Sequence, residues 1–411
     1  MNLLIITADD LSYCATGIGG CEIKNITPNI DELAQNGFYF DNAHATVGLC
    51  QPSRSVLMTG LYPWNNGALG FEPIKAGTET LVTILKRYGY FCGIMGKNNH
   101  LAPPELFQWD YNKNYLSLGD NGKSPIHYYQ RTEEFFKQSD KPFFLLANIN
   151  DPHRNFPENY IYDLNSILIP KFLSDNEATR KELSQYYTAV NRCDKTVGLI
   201  LQALKDSGKL KDTLIVFTSD HGMAFPFVKA NCYHHSSRVP LIYNHVNIKP
   251  NKDISHLVSG IDFLPSILEF MGLKYNFNFD GRSYYEILNG EYQNNRTLVY
   301  TCLCKNYPGN KFETRAIHSL DYCYICNFWS DGVNVFVEDG CLDNQPSYYT
   351  LHENKKHYVR FRVPEEFYDL KQDPYAQKNL INNLKNLPYI RDLMRKIAVK
   401  YNDKLVLTIL K

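Results

Sequence analysis

Four short apolar runs along the chain stop abruptly at polar residues: Asn2–Thr7 before Asp9-Asp10, Tyr90–Met95 before Gly96-Lys97, Pro142–Ile149 before Asp151, and Thr213–Thr218 before Asp220. Runs of this length without polar alternation mark strands covered on both faces, as in a parallel sheet. Helical periods lie between them. Thr27-Pro28 predicts a capped helix closed at Gly37, with Ile30, Leu33 and Ala34 on one face. A longer helix is predicted from about Thr179 to Asp206, where Leu183, Tyr187, Val190, Val197, Leu201 and Leu204 recur at helical spacing and Gly208 is the stop. Alternating strands and helices predict an α/β fold, a mostly parallel central sheet between helices, whose ligands gather beyond the carboxyl ends of the strands. All four polar clusters fall there.

Past residue 295 the texture changes. Thr297–Leu303, Arg315–Leu320 and Tyr322–Phe328 read as antiparallel strands around short turns. A last amphipathic helix, with Pro388 at its first position, carries Ile390, Leu393, Met394, Ile397 and Tyr401 on one stripe. The expected division is a larger domain over 1–295 and a smaller C-terminal α+β domain over 296–411, built on an antiparallel sheet and packed against the first.

Charge narrows the function classes. Lys+Arg 43 against Asp+Glu 43 leave no net charge, so nucleic acid and anionic membranes are not expected partners, and an anionic ligand must be held by a local site. No run approaches the ~18–20 apolar residues of a membrane span. Eleven cysteines at irregular spacing exclude a complete disulfide framework. Cys302-Leu-Cys304 and Cys323-Tyr-Ile-Cys326 sit in strand-like aromatic runs and not on zinc knuckles. Met1 leads straight into Leu3-Leu4-Ile5-Ile6 with no basic leader, so a cytoplasmic chain is expected, or a periplasmic or secreted one whose signal has been removed.

The densest chemistry lies in Leu49-Cys50-Gln51-Pro52-Ser53-Arg54-Ser55-Val56-Leu57-Met58-Thr59-Gly60. Pro52 fits the first turn of a short helix that Gly60 ends, which puts Cys50 at a helix N-terminus where backbone N–H groups favour an anion. Arg54, one turn along, can aim a guanidinium at the same point. Asp9-Asp10 places two adjacent carboxylates at a strand end, where they repel unless a cation joins them.

CQPSR followed by LMTGLYP resembles the signature of the type I sulfatases of the alkaline phosphatase superfamily. The resemblance implies an alkaline-phosphatase-like fold, with 1–295 as the catalytic domain, and a Cys50 oxidised to formylglycine by a formylglycine-generating enzyme. The hydrated aldehyde then supplies the attacking oxygen, and Arg54 steadies it. Asp9, Asp10, Cys50 and Asp220 are the implied metal ligands, with His221 where the commonest pattern has Asn. One divalent ion is implied, with Ca²⁺ the expected one. A ring nitrogen suits transition metals better than calcium, which keeps Mg²⁺, Mn²⁺ and Zn²⁺ open.

Three further segments match the family's cationic site. Gly96-Lys97-Asn98-Asn99-His100 is one residue longer than the usual G-K-x-H, Asp151-Pro152-His153-Arg154 matches D-P-H, and Lys229 falls where the family binds sulfate. The implied catalytic set is Cys50, Arg54, Lys97, His100, His153 and Lys229, of which Lys97, His153 and Lys229 bind substrate. Asn66–Phe71, the Tyr187–Asp220 stretch and Phe367-Tyr368-Asp369-Leu370 resemble the heparan N-sulfatase (sulfamidase) branch. That branch implies a sulfated carbohydrate of the N-sulfoglucosamine type. A phosphodiester or phosphonate monoester hydrolase of the same superfamily, or a silent carbohydrate-binding relative, are the alternatives; the sequence leaves oligomeric state open.

Overall fold

Seven residues, Asn2–Ala8, form β1, and all but the first are buried, as a strand needs when it has a neighbour on each edge and a layer on each face. In this computed structural model the residues described are 1–336, 345–353, 355 and 360–410. Along the chain β1 is followed by β2 (Phe38–Phe40), β3 (Ala43–His44), β4 (Phe91–Met95), β5 (Tyr111–Lys113), β6 (Phe143–Asn148), β7 (Thr213–Ser219), β8 (Leu241–Asn244), β9 (Asn251–Asp253) and β10 (Val258–Ser259). Eight of them form the central sheet in the order β5-β4-β6-β1-β7-β8-β2-β9, while β10 and β3 form a separate parallel pair. The five strands from β5 to β7 are parallel, and β8 runs antiparallel to both β7 and β2. The sheet is therefore mostly parallel, as expected.

Four adjacent strands, β4, β6, β1 and β7, point their carboxyl ends the same way, so the polar residues that follow each of them meet. In register, Thr7 of β1 pairs with Asn148 of β6 and with Thr218 of β7. The apolar runs thus do more than fill the core: their common length aligns the chemistry at one edge.

Helix α1 spans Pro28–Gln35 and buries Ile30, Leu33 and Ala34, but Thr27 does not cap it through its side chain. Its hydroxyl instead donates to Asp31 Oδ1 and accepts from Gly17 N. The long helix is Glu177–Asp206, starting earlier than the hydrophobic period predicts because the Asn176 side chain accepts from Thr179 N. At the C-terminal end, Pro388 takes the second and not the first position of the helix Leu387–Lys400. Tyr401 stands just past its end.

A second sheet of four antiparallel strands contains β11 (Val299–Lys305), β12 (Lys311–His318), β13 (Tyr322–Asn327) and β14 (Glu365–Asp369). β12 starts before the predicted Arg315 because the Asn306–Asn310 turn, closed by Asn306 N donating to Asn310 O at 3.1 Å, lets the hairpin pair from Lys311. One hydrophobic cluster runs from Leu4, Ile6 and Phe217 to Tyr300, Ile317 and Tyr324, so both sheets share a core. All ten cysteines among the described residues are free thiols; Cys341 lies outside those residues. Among the described residues no helix is long and apolar enough to cross a membrane.

Candidate active site

Helix α2 spans Cys50–Thr59, with Leu49 as N-cap and Gly60 closing it in the left-handed region at φ 65°. Cys50 is its first residue, 3% exposed, and faces the end of β1. Its Sγ lies 3.7 Å from Asp9 Oδ1 and 3.2 Å from His221 Nε2. Burial first, and the surrounding carboxylates after it, push the thiol well above its ordinary range against the opposing pull of Lys229. Such a thiol is protonated and a poor nucleophile.

Arg54 is buried one turn along and cross-links three strands. Nη1 donates to Asn148 Oδ1 at 2.7 Å and to Thr7 Oγ1 at 3.0 Å, and Nη2 donates to Asp220 Oδ2 at 3.0 Å. Thr7 in turn donates to Asn148 Oδ1, and Asn148 Nδ2 donates to Gly96 O. Ser53 Oγ donates to Asp220 O at 2.6 Å, a second tie from α2 to the end of β7. Thr7 and Asn148 escaped the sequence reading. Their only signal is that each is a polar residue closing an apolar strand.

The carboxylates Asp9, Asp10 and Asp220 are wholly buried and face one another. Asp220 Oδ1 accepts from the backbone N–H of Asp10 at 3.0 Å and of His221 at 2.9 Å. Burial raises the Asp9 carboxyl, but Lys97, His153, Arg54 and Lys229 outweigh it and hold it well below the usual range. Asp10 is likewise lowered, with Lys229 the largest opponent of burial, whereas burial and the Asp9 charge raise Asp220.

His221 Nδ1 stands 2.9 Å from Gly222 O, a carbonyl that can only accept, which assigns the ring proton to Nδ1. Nε2 then faces Asp10 Oδ1 at 3.3 Å and Asp220 Oδ2 at 3.8 Å. A neutral ring with its proton on Nδ1 would turn the Nε2 lone pair to these carboxylates, an arrangement that calls for a cation between them. Ligand atoms of Asp9, Cys50, Asp220 and His221 all fall within 4.8 Å of one another, a donor set that fits one divalent ion. Asp9, Asp10 and His153 form a second such group, joined to the first through Asp9.

Cations line the other side. Lys97 follows β4, and its Nζ lies 2.7 Å from Asp9 Oδ2. Lys229, buried in the loop after β7, places Nζ 3.0 Å from Asp10 Oδ1. His153 holds Nδ1 against Arg154 O at 2.6 Å, leaving Nε2 4.0 Å from Asp10 Oδ2; burial, then Lys229, lowers it to about 4. His100, at the end of the short turn Asn98–His100, lies beyond Lys97 with its ring edge-on to Phe71 at 5.7 Å. Burial, then Lys97, takes it down to about 2.

The His153 loop is braced by residues with no local sequence signal. Lys123 Nζ donates to the carbonyls of His153 and Asn155 at 2.6 Å each. Arg192 pairs with Asp151, and Arg154 pairs with Glu182 at 2.6 Å while donating to Ala224 O in the Lys229 loop.

With this geometry established, comparison with known proteins gives two family models: one described as Sulfatase matches residues 1–273, and one described as N-sulphoglucosamine sulphohydrolase, C-terminal, matches 220–336. Human N-sulphoglucosamine sulphohydrolase is 27% identical, over 98% of this chain and 90% of that protein. Among solved structures, a 2-O GAG sulfatase superposes with TM-score 0.76 at 21% identity, covering 98% of this chain and 93% of that one. The phosphonate monoester hydrolase of Agrobacterium radiobacter superposes equally, at 0.76 and 19% identity, covering 97% and 96%. At such identities the superpositions speak for the fold alone.

Proposed function

Because the chain belongs to the sulfatase family, we propose that it releases sulfate from a sulfated sugar, using formylglycine made from Cys50 and one divalent metal held by Asp9, Asp10, Asp220 and His221. The observation that carries this reading is the position of Cys50: first residue of α2, with Sγ 3.2 Å from a metal-ready imidazole nitrogen. The N-sulphoglucosamine-type relative and the matching C-terminal model support a sugar N-sulfate as substrate, with sugar O-sulfates next. The catalytic part is assigned to 1–295 and the smaller domain to 296–411.

A formylglycine at position 50 would supply a hydrated aldehyde as oxygen nucleophile, and a divalent ion held by Asp9, Asp10, Asp220 and His221 would supply positive charge beside it. The chain's own residues do the rest. Arg54 fixes the start of α2 against β1, β6 and β7. Lys97 and Lys229, each already beside a carboxylate, neutralise the sulfate oxygens that would otherwise repel a nucleophile. His153 keeps its proton on Nδ1 and offers Nε2 to the site. A bound sulfate offsets the neighbouring lysines and raises its pKa, so Nε2 can hold the proton that the leaving atom takes, with Lys229 as the other donor. His100 stands one shell out, behind Lys97, where it serves release of the product.

The test compares sulfate release from N-sulfoglucosamine, a 6-O-sulfated sugar and an aryl sulfate with hydrolysis of a phosphonate monoester. Fastest turnover of a sulfated sugar supports the reading. His221 favours a second reading, phosphonate or phosphodiester hydrolysis, and far faster turnover of the phosphonate would establish it instead.

A further inference from the structure

Three aromatic rings lead from solvent to the cationic side of the site. Tyr307 lies 57% exposed in the turn between β11 and β12. Its ring meets Phe71 edge-on, with centroids 4.9 Å apart at 85°, and Phe71 meets His100 at 5.7 Å and 86°. His100 is next to Lys97, whose Nζ is 2.7 Å from Asp9 Oδ2.

The file is indexed to the nucleophile. Gln51, the residue after Cys50, donates its Nε2 to Glu72 O at 3.0 Å, and Gly70 N donates to Glu72 Oε2 at 2.8 Å. The Glu72 carboxylate pairs with Lys305 at the end of β11. Gly70 lets these segments touch, since a Cβ there would come within 3.0 Å of Lys305 Cβ. Phe71 is thereby held between the start of α2 and the turn that carries Tyr307. A half-exposed tyrosine at the tip of a Pro308-Gly309 turn adds little to a core. Tyr307 keeps more than half of its surface in solvent, and Phe71 is only partly buried.

We infer that Phe71 and Tyr307 form a subsite that takes the C–H face of a pyranose ring linked to the sulfated one. The electron-rich faces of aromatic rings attract polarised C–H groups, and a sugar ring presents a patch of them. His100 separates Phe71 from the sulfate-binding lysines, so the stacked ring is the neighbour of the sulfated residue, and the substrate is a sulfated oligosaccharide in preference to a free monosaccharide. This inference rests on the sulfatase reading above.

The test measures calorimetric affinity of metal-loaded Cys50→Ala protein for N-sulfoglucosamine and for a disaccharide that bears it at the non-reducing end. Tyr307→Ala is added to the same background, with Tyr307→Phe as the conservative partner. The disaccharide should bind more tightly than the monosaccharide, and Tyr307→Ala should weaken it about three- to tenfold while leaving the monosaccharide unchanged. Tyr307→Phe should restore the affinity. Equal affinities before and after Tyr307→Ala, or equal losses for both sugars, overturn the subsite and leave the sulfatase reading standing. If neither sugar binds the Cys50→Ala protein, the subsite and the N-sulfoglucosamine assignment both fall.

Discussion

Lys229 Nζ stands 3.0 Å from Asp10 Oδ1 and 3.1 Å from Oδ2, with both side chains buried. Asp10 therefore shares one flank with an ammonium and offers the other to His221. Removing one partner of a buried pair costs about 3–5 kcal/mol, because the remaining charge loses compensation. Lys229→Met should lower unfolding free energy by that order in denaturant titrations of metal-free protein. Divalent metal should raise the melting temperature of the variant more than that of wild type. A variant as stable as wild type would show that Asp10 does not need the lysine.

His221→Asn replaces a nitrogen donor by an amide oxygen at the same point of the cluster. Oxygen favours hard ions, so the ratio of Ca²⁺ to Mn²⁺ or Zn²⁺ affinity should rise in the variant. Elemental analysis after dialysis against equal concentrations of the three ions reads this directly. An unchanged ratio would place His221 outside the metal shell.

Asn148 accepts from both Arg54 and Thr7 and donates to Gly96 O, so it joins β6 to α2 and to the Lys97 turn. Asn148→Ala removes one acceptor of the Arg54 guanidinium, leaving Thr7 and Asp220, and should destabilise by about 2–3 kcal/mol. It should also lower kcat with little change in KM, since Arg54 and Lys97 lose a common anchor. Intact kcat would argue that Asp220 alone positions Arg54.

Away from the site, His44, His234 and His318 pack ring to ring, at centroid distances of 5.0, 5.2 and 6.1 Å. Among the described residues, His44 Nε2, His234 Nδ1 and His318 Nδ1 find no hydrogen-bond partner. Burial holds all three below the ordinary imidazole value, His318 at about 3, and Arg238 lowers His44 and His234 further. Each folded pKa lies below the unfolded one, so the unfolded chain takes up protons first. Stability is then complete above about pH 6.5 and falls as pH drops below it, by about 1.4 kcal/mol per pH unit for each imidazole. For His318 the loss continues to about pH 3. Urea titrations at pH 7.5, 6 and 5 should show that decline, and His318→Asn should make it shallower. Equal stability at the three pH values would contradict it.

Much of this was legible in the chain because the informative residues sit at strand ends. Asp9, Lys97, His153 and Asp220 each follow an unbroken apolar run, and four such runs become neighbours in one parallel sheet. Cys50 and Arg54 were legible from Pro52 and Gly60, which bound a helix of fixed length. What escaped depends on contacts across the sheet. Asn148 and Thr7 matter only because β6 lies beside β1, and Lys123 and Glu182 act through carbonyls and side chains distant in sequence. The reversed direction of β8 was hidden for the same reason: strand direction is a property of connections and not of apolar pattern.

Sulfate release by this chain depends on the chemical state of Cys50. Peptide mass spectrometry across Leu49–Arg54 in a preparation that releases sulfate should find the cysteine converted to formylglycine, read as a mass about 18 Da below the thiol peptide or as its hydrate, in proportion to specific activity, and Cys50→Ala should abolish turnover without unfolding the chain. Full activity from protein whose Cys50 is entirely unmodified thiol would contradict the account.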